Sequence, residues 1–244
     1  MIAFRLLRVG VLLFGGLAIS ALVFPFIQKT RRDIFIQRWS VQLVRICGIE
    51  VDIQYAAGAQ HVARSLIVAN HVSWLDIFVI NSLQPCCFVA KSDIRDWPVL
   101  GWLCARAGTI FIARGKARDV RRIFKDLVAS IGGGERVAFF PEGTTAAQGA
   151  ILPFHANLFE AAIDAKVPVQ PYALRYVDAQ GELHTAVNFI GDMTFAQSMV
   201  LVLSARNVKA QIILLPLIDT TGCHRRELAA ATRSAISVGL GYEL

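Results

Sequence analysis

The sequence predicts an α/β fold, with a single domain built on one mixed sheet flanked by helices and a hydrophobic helical segment at the N-terminus. Short apolar runs rich in β-branched residues alternate with longer stretches whose apolar residues recur every three or four positions. This is the pattern of strands alternating with helices. The chain of 244 residues is also long enough to bury one core of ordinary size.

The composition favours contact with a membrane and argues against binding to nucleic acid. Hydrophobic residues make up 55% of the chain, and the mean hydropathy is +0.51, which is high for a freely soluble protein. The formal net charge of +7 suits anionic lipid, nucleic acid or a phosphorylated substrate. No RNP-like, zinc-finger or long Lys/Arg-run sequence occurs, so no nucleic-acid partner is expected.

Cysteine and histidine spacing predicts neither disulfides nor a metal site. The five cysteines include no C-x-x-C pair and are odd in number, so reduced and mostly buried thiols are expected. The five histidines show no metal-ligand spacing with one another or with the cysteines. We therefore expect no metal and no bound cofactor.

Residues 1–48 are predicted to anchor the chain at a membrane, and residues 49–244 to form the α/β domain. Residues 9–27 are almost wholly apolar, and this run of roughly 19 residues is just long enough to span a bilayer. No A-x-A-type cleavage site follows, so the segment is expected to be retained. Residues 33–48 then carry an amphipathic helical pattern. A hairpin within one leaflet and a single span followed by a core helix both fit.

Within residues 49–244 the elements follow from apolar periodicity and from the residues that end each run. Glycines follow the helices predicted at 97–107 and 117–131, and Pro98 stands near the start of the first of these two. Strands are predicted at 50–55, 66–69, 88–90, 109–113, 136–140, 167–174 and 208–217. Helices are predicted at 33–48, from Ser73 onward, and at 97–107, 117–131, 157–166, 194–204 and 227–240, with strand and turn between 175 and 192.

Residues 70–76, which read NHVSWLD, are the strongest indication of chemistry. His71 follows a buried strand, at the point where parallel sheets open toward a ligand. A histidine can act as general base to a hydroxyl, and a carboxylate such as Asp76 can orient it. Residues five apart do not face each other on a continuous helix, so the pair requires His71 to lie in a turn. Alternatively, Ser73 and Asp76 form a capping box.

Two further strand ends carry residues suited to binding. Arg114 follows the strand at 109–113 and offers a bidentate fork for phosphate. Glu142, Gly143 and Thr144 follow the strand at 136–140, and Gly143 permits close approach of a ligand to the backbone. A solvated charge and a tight turn are the alternative interpretations. If the strands share a sheet, these ends converge with His71 on one crevice.

Four blocks in order resemble the glycerolipid acyltransferase family, which includes 1-acylglycerol-3-phosphate acyltransferases. They are NHVSWLD at 70–76, GTIFIAR at 108–114, FPEGTT at 140–145 and VPVQPYAL at 167–174. The resemblance covers about residues 65 to 175, and the first block matches the family's HX4D motif. It implies an α/β acyltransferase domain attached to a membrane, expected at the cytoplasmic face of the inner membrane.

The resemblance also implies a mechanism and a set of partners. His71, oriented by Asp76, would remove the proton from an acceptor hydroxyl, which attacks the thioester of acyl-CoA or acyl-carrier protein. The partners implied are the lipid bilayer, a lysophospholipid or other lyso-lipid acceptor, and the thioester donor. Acceptor binding is assigned by the resemblance to Lys91, Arg114, Glu142, Gly143 and Thr144.

One position departs from the family and leaves the acceptor open. The family commonly has arginine after FPEGT, where this chain has Thr145. A hydroxyl cannot replace the bidentate grip of a guanidinium on a phosphate dianion. The first expectation is 1-acylglycerol-3-phosphate, giving phosphatidic acid, with Lys91 and Arg114 holding the phosphate. The alternative is a lyso-ornithine lipid or another lyso-lipid.

Other classes of protein fit the sequence less well. A serine hydrolase needs a G-x-S-x-G elbow, which does not occur. A phosphate-loop enzyme needs Ser or Thr after Gly-Lys, but Gly115 and Lys116 are followed by Ala117. A non-enzymatic membrane-binding module is the remaining alternative, and such a protein would tolerate the loss of His71.

Overall fold

One seven-stranded mixed sheet forms the centre of the protein, as the sequence predicts. The computed structural model describes residues 2–60, 62, 64–112 and 117–243, and only the backbone of residues 117–123. The strands are β1 (Ile49–Tyr55), β2 (Leu66–Ala69), β3 (Cys87–Lys91), β4 (Ile110–Ile112), β5 (Val137–Phe139), β6 (Val169–Val177) and β7 (Val208–Leu214). Their order is β1-β7-β6-β2-β5-β3-β4, and only β6 and β7 pair antiparallel.

Helices cover both faces of this sheet. They are α1 (Ile2–Leu22), α2 (Lys29–Ile46), α3 (Leu75–Leu83), α4 (Leu100–Arg106), α5 (Ala117–Gly132), α6 (Glu160–Ala165), α7 (Phe195–Ser204) and α8 (Arg225–Leu240). Strand β2 lies between two cores because successive side chains point to opposite faces. Ile67 packs with residues of α2, α3 and α7, whereas Leu66 packs with residues of α5, α6 and α8.

Several predicted boundaries shift for local reasons. Helix α4 begins at Leu100, after the 3-10 turn Ser92–Asp96, because Trp97 is extended and Val99 has a φ of +67°, and neither conformation is helical. A second 3-10 turn, Ala156–Phe159, likewise shortens α6. Strand β6 runs on to Val177, beyond the predicted end, because it pairs with β7 along that length. Helix α8 begins two residues early.

The two N-terminal helices form a hairpin against the α/β domain. Helix α1 runs unbroken through its glycines, and Gly16 lies against Trp39 of α2, whose Nε1 donates to the carbonyl of Leu12 at 2.9 Å. Arg5 donates to the carbonyl of Leu203 at 2.8 Å, so the start of α1 is fixed to α7. By length and composition, Ile2–Phe26 could cross a membrane, with a hydropathy of 2.3. The exposed apolar residues of α1 are Ile2, Phe4, Leu6, Leu7, Val11, Phe14 and Leu22.

Candidate active site

The predicted site residues follow strands that end at one edge of the sheet. Strands β2, β5, β3 and β4 are neighbours and parallel, so their carboxyl ends lie side by side. This edge faces a cavity of about 1960 Å³. Its lining includes His71, Lys91, Gly143 and Thr144. The convergence predicted from strand ends is therefore present for His71, Gly143 and Thr144, and Lys91, assigned through the resemblance, lies on the same cavity.

His71 and Asp76 are in direct contact. His71 lies in the turn after β2, and Asp76 lies in the first turn of α3, the arrangement that the spacing requires. The distance between His71 Nδ1 and Asp76 Oδ2 is 2.8 Å. A carboxylate at Nδ1 favours the tautomer that carries its proton there. Nε2 is consequently the ring nitrogen left to accept a proton.

The Asp76 carboxylate is buried and fully engaged. Oδ2 also accepts the backbone N–H groups of Val72 at 2.7 Å and Ser73 at 2.9 Å. Oδ1 accepts the hydroxyl of Tyr176 at 2.7 Å. Asp76 therefore closes the start of α3 and contacts His71 at the same time. The buried Ser73 hydroxyl has no partner among the described residues, so the expected Ser73 cap is not formed.

Tyr176 is a site residue that sequence reasoning missed. It lies on β6, fully buried, and its hydroxyl meets a carboxylate 100 residues away in the chain. Burial raises the pKa of Tyr176 well above its ordinary value, and the nearby Asp76 charge raises it further. The phenol therefore stays protonated and donates to Asp76. No local pattern could have indicated this contact.

The imidazole of His71 is also held by an aromatic ring. It stacks on Phe140, with ring centres 3.9 Å apart and an angle of 8° between the planes. Phe140 follows β5 directly, so the third motif block supports the ring supplied by the first. His71 is held by this stacking on its face and by Asp76 at its edge, which limits rotation of the side chain.

Glu142 lies behind the site and bonds to backbone. Its carboxylate accepts the backbone N–H of His71 at 2.7 Å and that of Leu152 at 2.9 Å. Burial raises the pKa of Glu142, and these two bonds oppose the rise. The residue is 5% exposed and is not part of the cavity lining. Its substrate-binding role stays a prediction, and its contacts position His71.

Gly143 and its neighbours form the loop beside His71. Gly143 has a φ of +67°, which favours glycine, and a Cβ there would lie in tight contact, 3.2 Å from Cδ2 of His155. Thr144 is exposed to the cavity. Thr145 donates its hydroxyl to the carbonyl of Phe189. At the position where the family commonly has arginine, this chain thus has a neutral side chain that is hydrogen-bonded to the backbone of Phe189.

Of the two basic residues predicted to bind the acceptor, the structure describes Lys91. Lys91 is the last residue of β3 and is exposed on the cavity lining. Arg114 lies outside the described residues; its predicted strand is described as far as Ile112, beside β3. No group of three or more His, Cys, Asp or Glu side chains within the described part of the chain is placed to hold a metal ion.

The first motif block is also tied to the strand that carries Tyr176. The Asn70 side-chain amide donates to the Leu174 carbonyl and accepts the Leu174 N–H, both at 2.8 Å. These two hydrogen bonds fix the end of β2 to β6. Glu142 of the third block accepts the backbone N–H of His71 at 2.7 Å, and the carbonyl of His71 accepts the N–H of Ala146, directly after that block, at 2.8 Å. Three of the four blocks therefore form one hydrogen-bonded unit.

The remaining walls of the cavity come from helices and are largely apolar. Helices α1, α2, α3 and α4 supply most of them, and α5, α6, α7 and α8 contribute smaller parts. Representative lining residues are Val9, Leu12, Gly16, Phe35, Trp39, Leu43, Phe78, Trp97, Val99, Leu100 and Leu103. The site thus places the paired His71 and Asp76 beside a large, mainly apolar space.

Known proteins share both the motifs and the fold. Residues 51–175 match the family described as Acyltransferase. The chain is 35% identical over 208 residues to a lyso-ornithine lipid O-acyltransferase of Rhodobacter capsulatus, covering 81% of this chain and 74% of that protein. It is 41% identical over 138 residues to a 1-acyl-sn-glycerol-3-phosphate acyltransferase of Neisseria gonorrhoeae, covering 56% of this chain and 54% of that protein.

A solved structure extends the likeness to the whole chain. The crystal structure of the 1-acyl-sn-glycerophosphate acyltransferase from Thermotoga maritima resembles this protein with a TM-score of 0.68. The comparison covers 99% of this chain and 97% of that chain at 17% sequence identity. At this identity the likeness concerns the fold, and it includes the N-terminal helices.

Proposed function

Because the chain belongs to the acyltransferase family and is an O-acyltransferase of the 1-acylglycerol-3-phosphate acyltransferase type, we propose that it acylates the free hydroxyl of a lyso-lipid, using acyl-CoA or acyl-carrier protein as donor. The observation that carries this proposal is the 2.8 Å contact between His71 and Asp76 in the wall of a cavity of about 1960 Å³. A base for a hydroxyl and space for acyl chains occur together there.

The reaction follows from the orientation of His71. Nε2 takes the proton of the acceptor hydroxyl while the oxygen attacks the thioester carbonyl. The tetrahedral oxyanion then collapses, the carbon–sulfur bond breaks, and the departing thiolate takes the proton from the imidazolium. Asp76 stabilises the imidazolium, and its own position is fixed because it also accepts hydrogen bonds from Tyr176 and two backbone N–H groups.

The replacement His71→Ala tests this mechanism. A general base of this kind contributes roughly 10²–10⁴-fold to the rate, so thiol release should fall by about that factor. Circular dichroism should show an unchanged fold, because the backbone contacts of residue 71 do not need its ring. Unchanged acyl transfer would refute the mechanism, and absence of transfer by the native protein would favour a non-enzymatic membrane-binding module.

For the acceptor, we favour a lyso-ornithine lipid. The Thr145 side chain is neutral and donates to Phe189, so it offers a phosphate dianion no charge. An ornithine headgroup has no phosphate. The Rhodobacter relative also aligns with 81% of this chain, compared with 56% for the Neisseria relative. The second candidate is 1-acylglycerol-3-phosphate, which Lys91 at the cavity favours.

A parallel assay distinguishes the acceptors. Thiol release is measured with acyl-CoA and acyl-carrier protein on both lyso-lipids, with identification of each lipid product. Thr145→Arg should shift the preference toward the phosphate acceptor by roughly 10–100-fold, the value of a charge-assisted hydrogen bond of about 1.5–3 kcal/mol. Thr145→Val removes the same hydroxyl without adding charge and should not. Native preference for 1-acylglycerol-3-phosphate would overturn the ornithine assignment alone.

We also propose that residues 1–48 anchor the protein as a hairpin at the cytoplasmic face of a membrane, where thioester donors are found. Phe14 is 76% exposed and Leu7 is 65% exposed on α1, whereas the opposite face of that helix packs on α2. The variant Leu7→Glu/Phe14→Glu should sediment with lipid vesicles several-fold less than the native protein. Unchanged sedimentation would contradict this anchoring.

A further inference from the structure

Helix α4 and the 3-10 turn before it expose large apolar side chains outside the N-terminal hairpin. Trp97 is 46% exposed, Val99 is 50% exposed and Trp102 is 38% exposed. An arginine guanidinium, that of Arg106, lies 5.1 Å from the ring centre of Trp102. We use the name α4 patch for Arg95, Trp97, Val99, Trp102 and Arg106. Contiguous exposed apolar surface of this kind marks an interaction site.

The backbone holds this patch in an unusual conformation. Val99 has a φ of +67°, in the left-handed region that a β-branched residue rarely adopts. A Cβ on Gly101 would come within 2.1 Å of the carbonyl oxygen of Arg95, so only glycine allows the turn and α4 to pack this closely. Conformations that cost free energy persist where the surrounding structure enforces them, often at functional sites.

The α4 patch is continuous with the apolar face of α1. Helix α4 contacts α1, and both helices line the cavity that contains His71. Val11 of α1, at 66% exposure, lines the cavity, as do Trp97 and Val99 of the patch. Residues that are both exposed and part of the lining lie at an opening. The cavity therefore opens between the exposed face of α1 and the α4 patch.

We propose that the α4 patch is a second contact with the lipid bilayer, which together with α1 seats the opening of the cavity in the membrane interface. This inference rests on the proposed acylation of a lyso-lipid. Tryptophan and arginine suit the boundary between acyl chains and headgroups, because each combines an apolar body with a polar end. The lyso-lipid then enters sideways from the bilayer, between α1 and α4.

The charges near the α4 patch largely cancel, so insertion of its apolar side chains into the bilayer should be the main attraction. Asp93 and Asp96 are exposed on the same turn and offset the charges of Arg95 and Arg106. A patch held to the membrane by charge alone would lose contact as salt screens it. The contact proposed here should persist at 0.5 M salt, about five times the ionic strength at which the Debye length is roughly 10 Å.

Tryptophan fluorescence tests the contact without any assay of activity. The native chain has four tryptophans, of which Trp39 and Trp74 pack against Phe78 and Trp97 and Trp102 belong to the patch. The full chain is bound to vesicles of brominated phosphatidylcholine and phosphatidylglycerol. Quenching should be about two-fold or more greater in the native protein than in the Trp97→Phe/Trp102→Phe variant. Equal quenching, or tryptophans of the patch that aqueous iodide still reaches, would overturn the proposal.

A charge substitution tests whether the contact matters for delivery of the lipid. Trp102 does not line the cavity, and Val238 on α8 is an exposed apolar residue that serves as a matched control. Trp102→Glu should lower turnover of a lyso-lipid in vesicles about five-fold while leaving turnover in detergent micelles within two-fold. Val238→Glu should change neither rate.

The two experiments separate the possible failures. If no lyso-lipid is acylated by the native protein, the proposed function fails, but the quenching result still decides whether the patch meets lipid. If Trp102→Glu lowers both rates equally, the patch supports the fold of the site and the delivery role is refuted. If the vesicle rate is unchanged, the patch has no part in lipid delivery.

Discussion

The two sides of the cavity are built by different forces. On the strand side, the carboxylates of Asp76 and Glu142 are buried, and each of their oxygens accepts at least one hydrogen bond. On the helix side, α1, α2 and α4 present mainly apolar side chains whose contacts have no required direction. One side fixes the position of His71, and the other offers the space that we propose lipid enters.

This difference predicts how each side responds to change. A buried hydrogen-bond network fails sharply, because the loss of one partner leaves another polar group unsatisfied. Dispersion contacts are individually small and lose stability in proportion to the atoms removed. Substitutions on the strand side should therefore lower turnover strongly, and those on the helix side should act mainly on stability and lipid access.

Among the residues that hold His71 in position, Glu142→Gln should have the largest effect. Both carboxylate oxygens accept backbone N–H groups, and the amide of glutamine would turn an NH₂ toward one of them. We expect kcat to fall roughly 10–100-fold. The free energy of unfolding should fall by about 1–3 kcal/mol, which is the usual result of an unsatisfied buried polar group. Steady-state kinetics and thermal unfolding measure these changes.

The same variant separates positioning from substrate binding. A fall in kcat at constant KM indicates that Glu142 acts through the backbone of His71. A rise in KM alone would instead support the direct role predicted from the motif. Glu182→Gln, at an exposed position, is the control for loss of a carboxylate and should leave both parameters unchanged.

Tyr176→Phe should have the next largest effect. It removes the hydroxyl that donates to Asp76 Oδ1 and leaves that buried oxygen without this donor. We expect kcat to fall about 5–20-fold, corresponding to about 1–2 kcal/mol, with KM unchanged. Tyr172→Phe is the matched control, since Tyr172 is buried on the same strand and its hydroxyl is not bonded to Asp76. Equal losses in both variants would show a general effect on packing.

The sequence could predict the part of the site that lies in local patterns. His71 and Asp76 are five residues apart, and their contact follows from a turn before a helix. Polar residues at strand ends also predict that His71, Gly143 and Thr144 face one cavity, but they do not predict the order of the strands. Tyr176 could not be found, because a bond across 100 residues depends on the packing of β6 beside β2. For Glu142, the residue type fits substrate binding and backbone support equally well. Its burial, which the sequence does not reveal, favours backbone support.

Two glycine substitutions in α1 should act on stability rather than on turnover, and they should change the free energy of unfolding in opposite directions. A Cβ on Gly16 would lie 2.7 Å from Nε1 of Trp39, whereas a Cβ on Gly10 meets nothing within 4 Å. Gly16→Ala should lower the unfolding free energy by about 1–3 kcal/mol through overpacking. Gly10→Ala should raise it by about 0.4–1 kcal/mol, because the unfolded chain loses freedom. Thermal unfolding in detergent measures both, and equal shifts would show that α1 does not pack on α2 as described.

Cysteine alkylation, which requires no substitution, measures whether water reaches the apolar side of the cavity. Burial raises the pKa of Cys47 and of Cys86 to about 12 and that of Cys87 to about 11. At pH 8 a thiol with a pKa near 12 is ionised only about one part in 10⁴, so it reacts with iodoacetamide very slowly. Cys223, which is less buried, should be alkylated first.

Cys86 makes this measurement informative, because it is buried and also belongs to the cavity lining beside Phe88. If the apolar side stays dry, Cys86 should react only after unfolding in denaturant, at the same time as Cys47. Mass spectrometry of peptides after timed alkylation gives both rates. Rapid labelling of Cys86 in the native protein would mean that water and ions reach the apolar wall. The contrast between a rigid polar side and a dry lipid-facing side would then have to be abandoned.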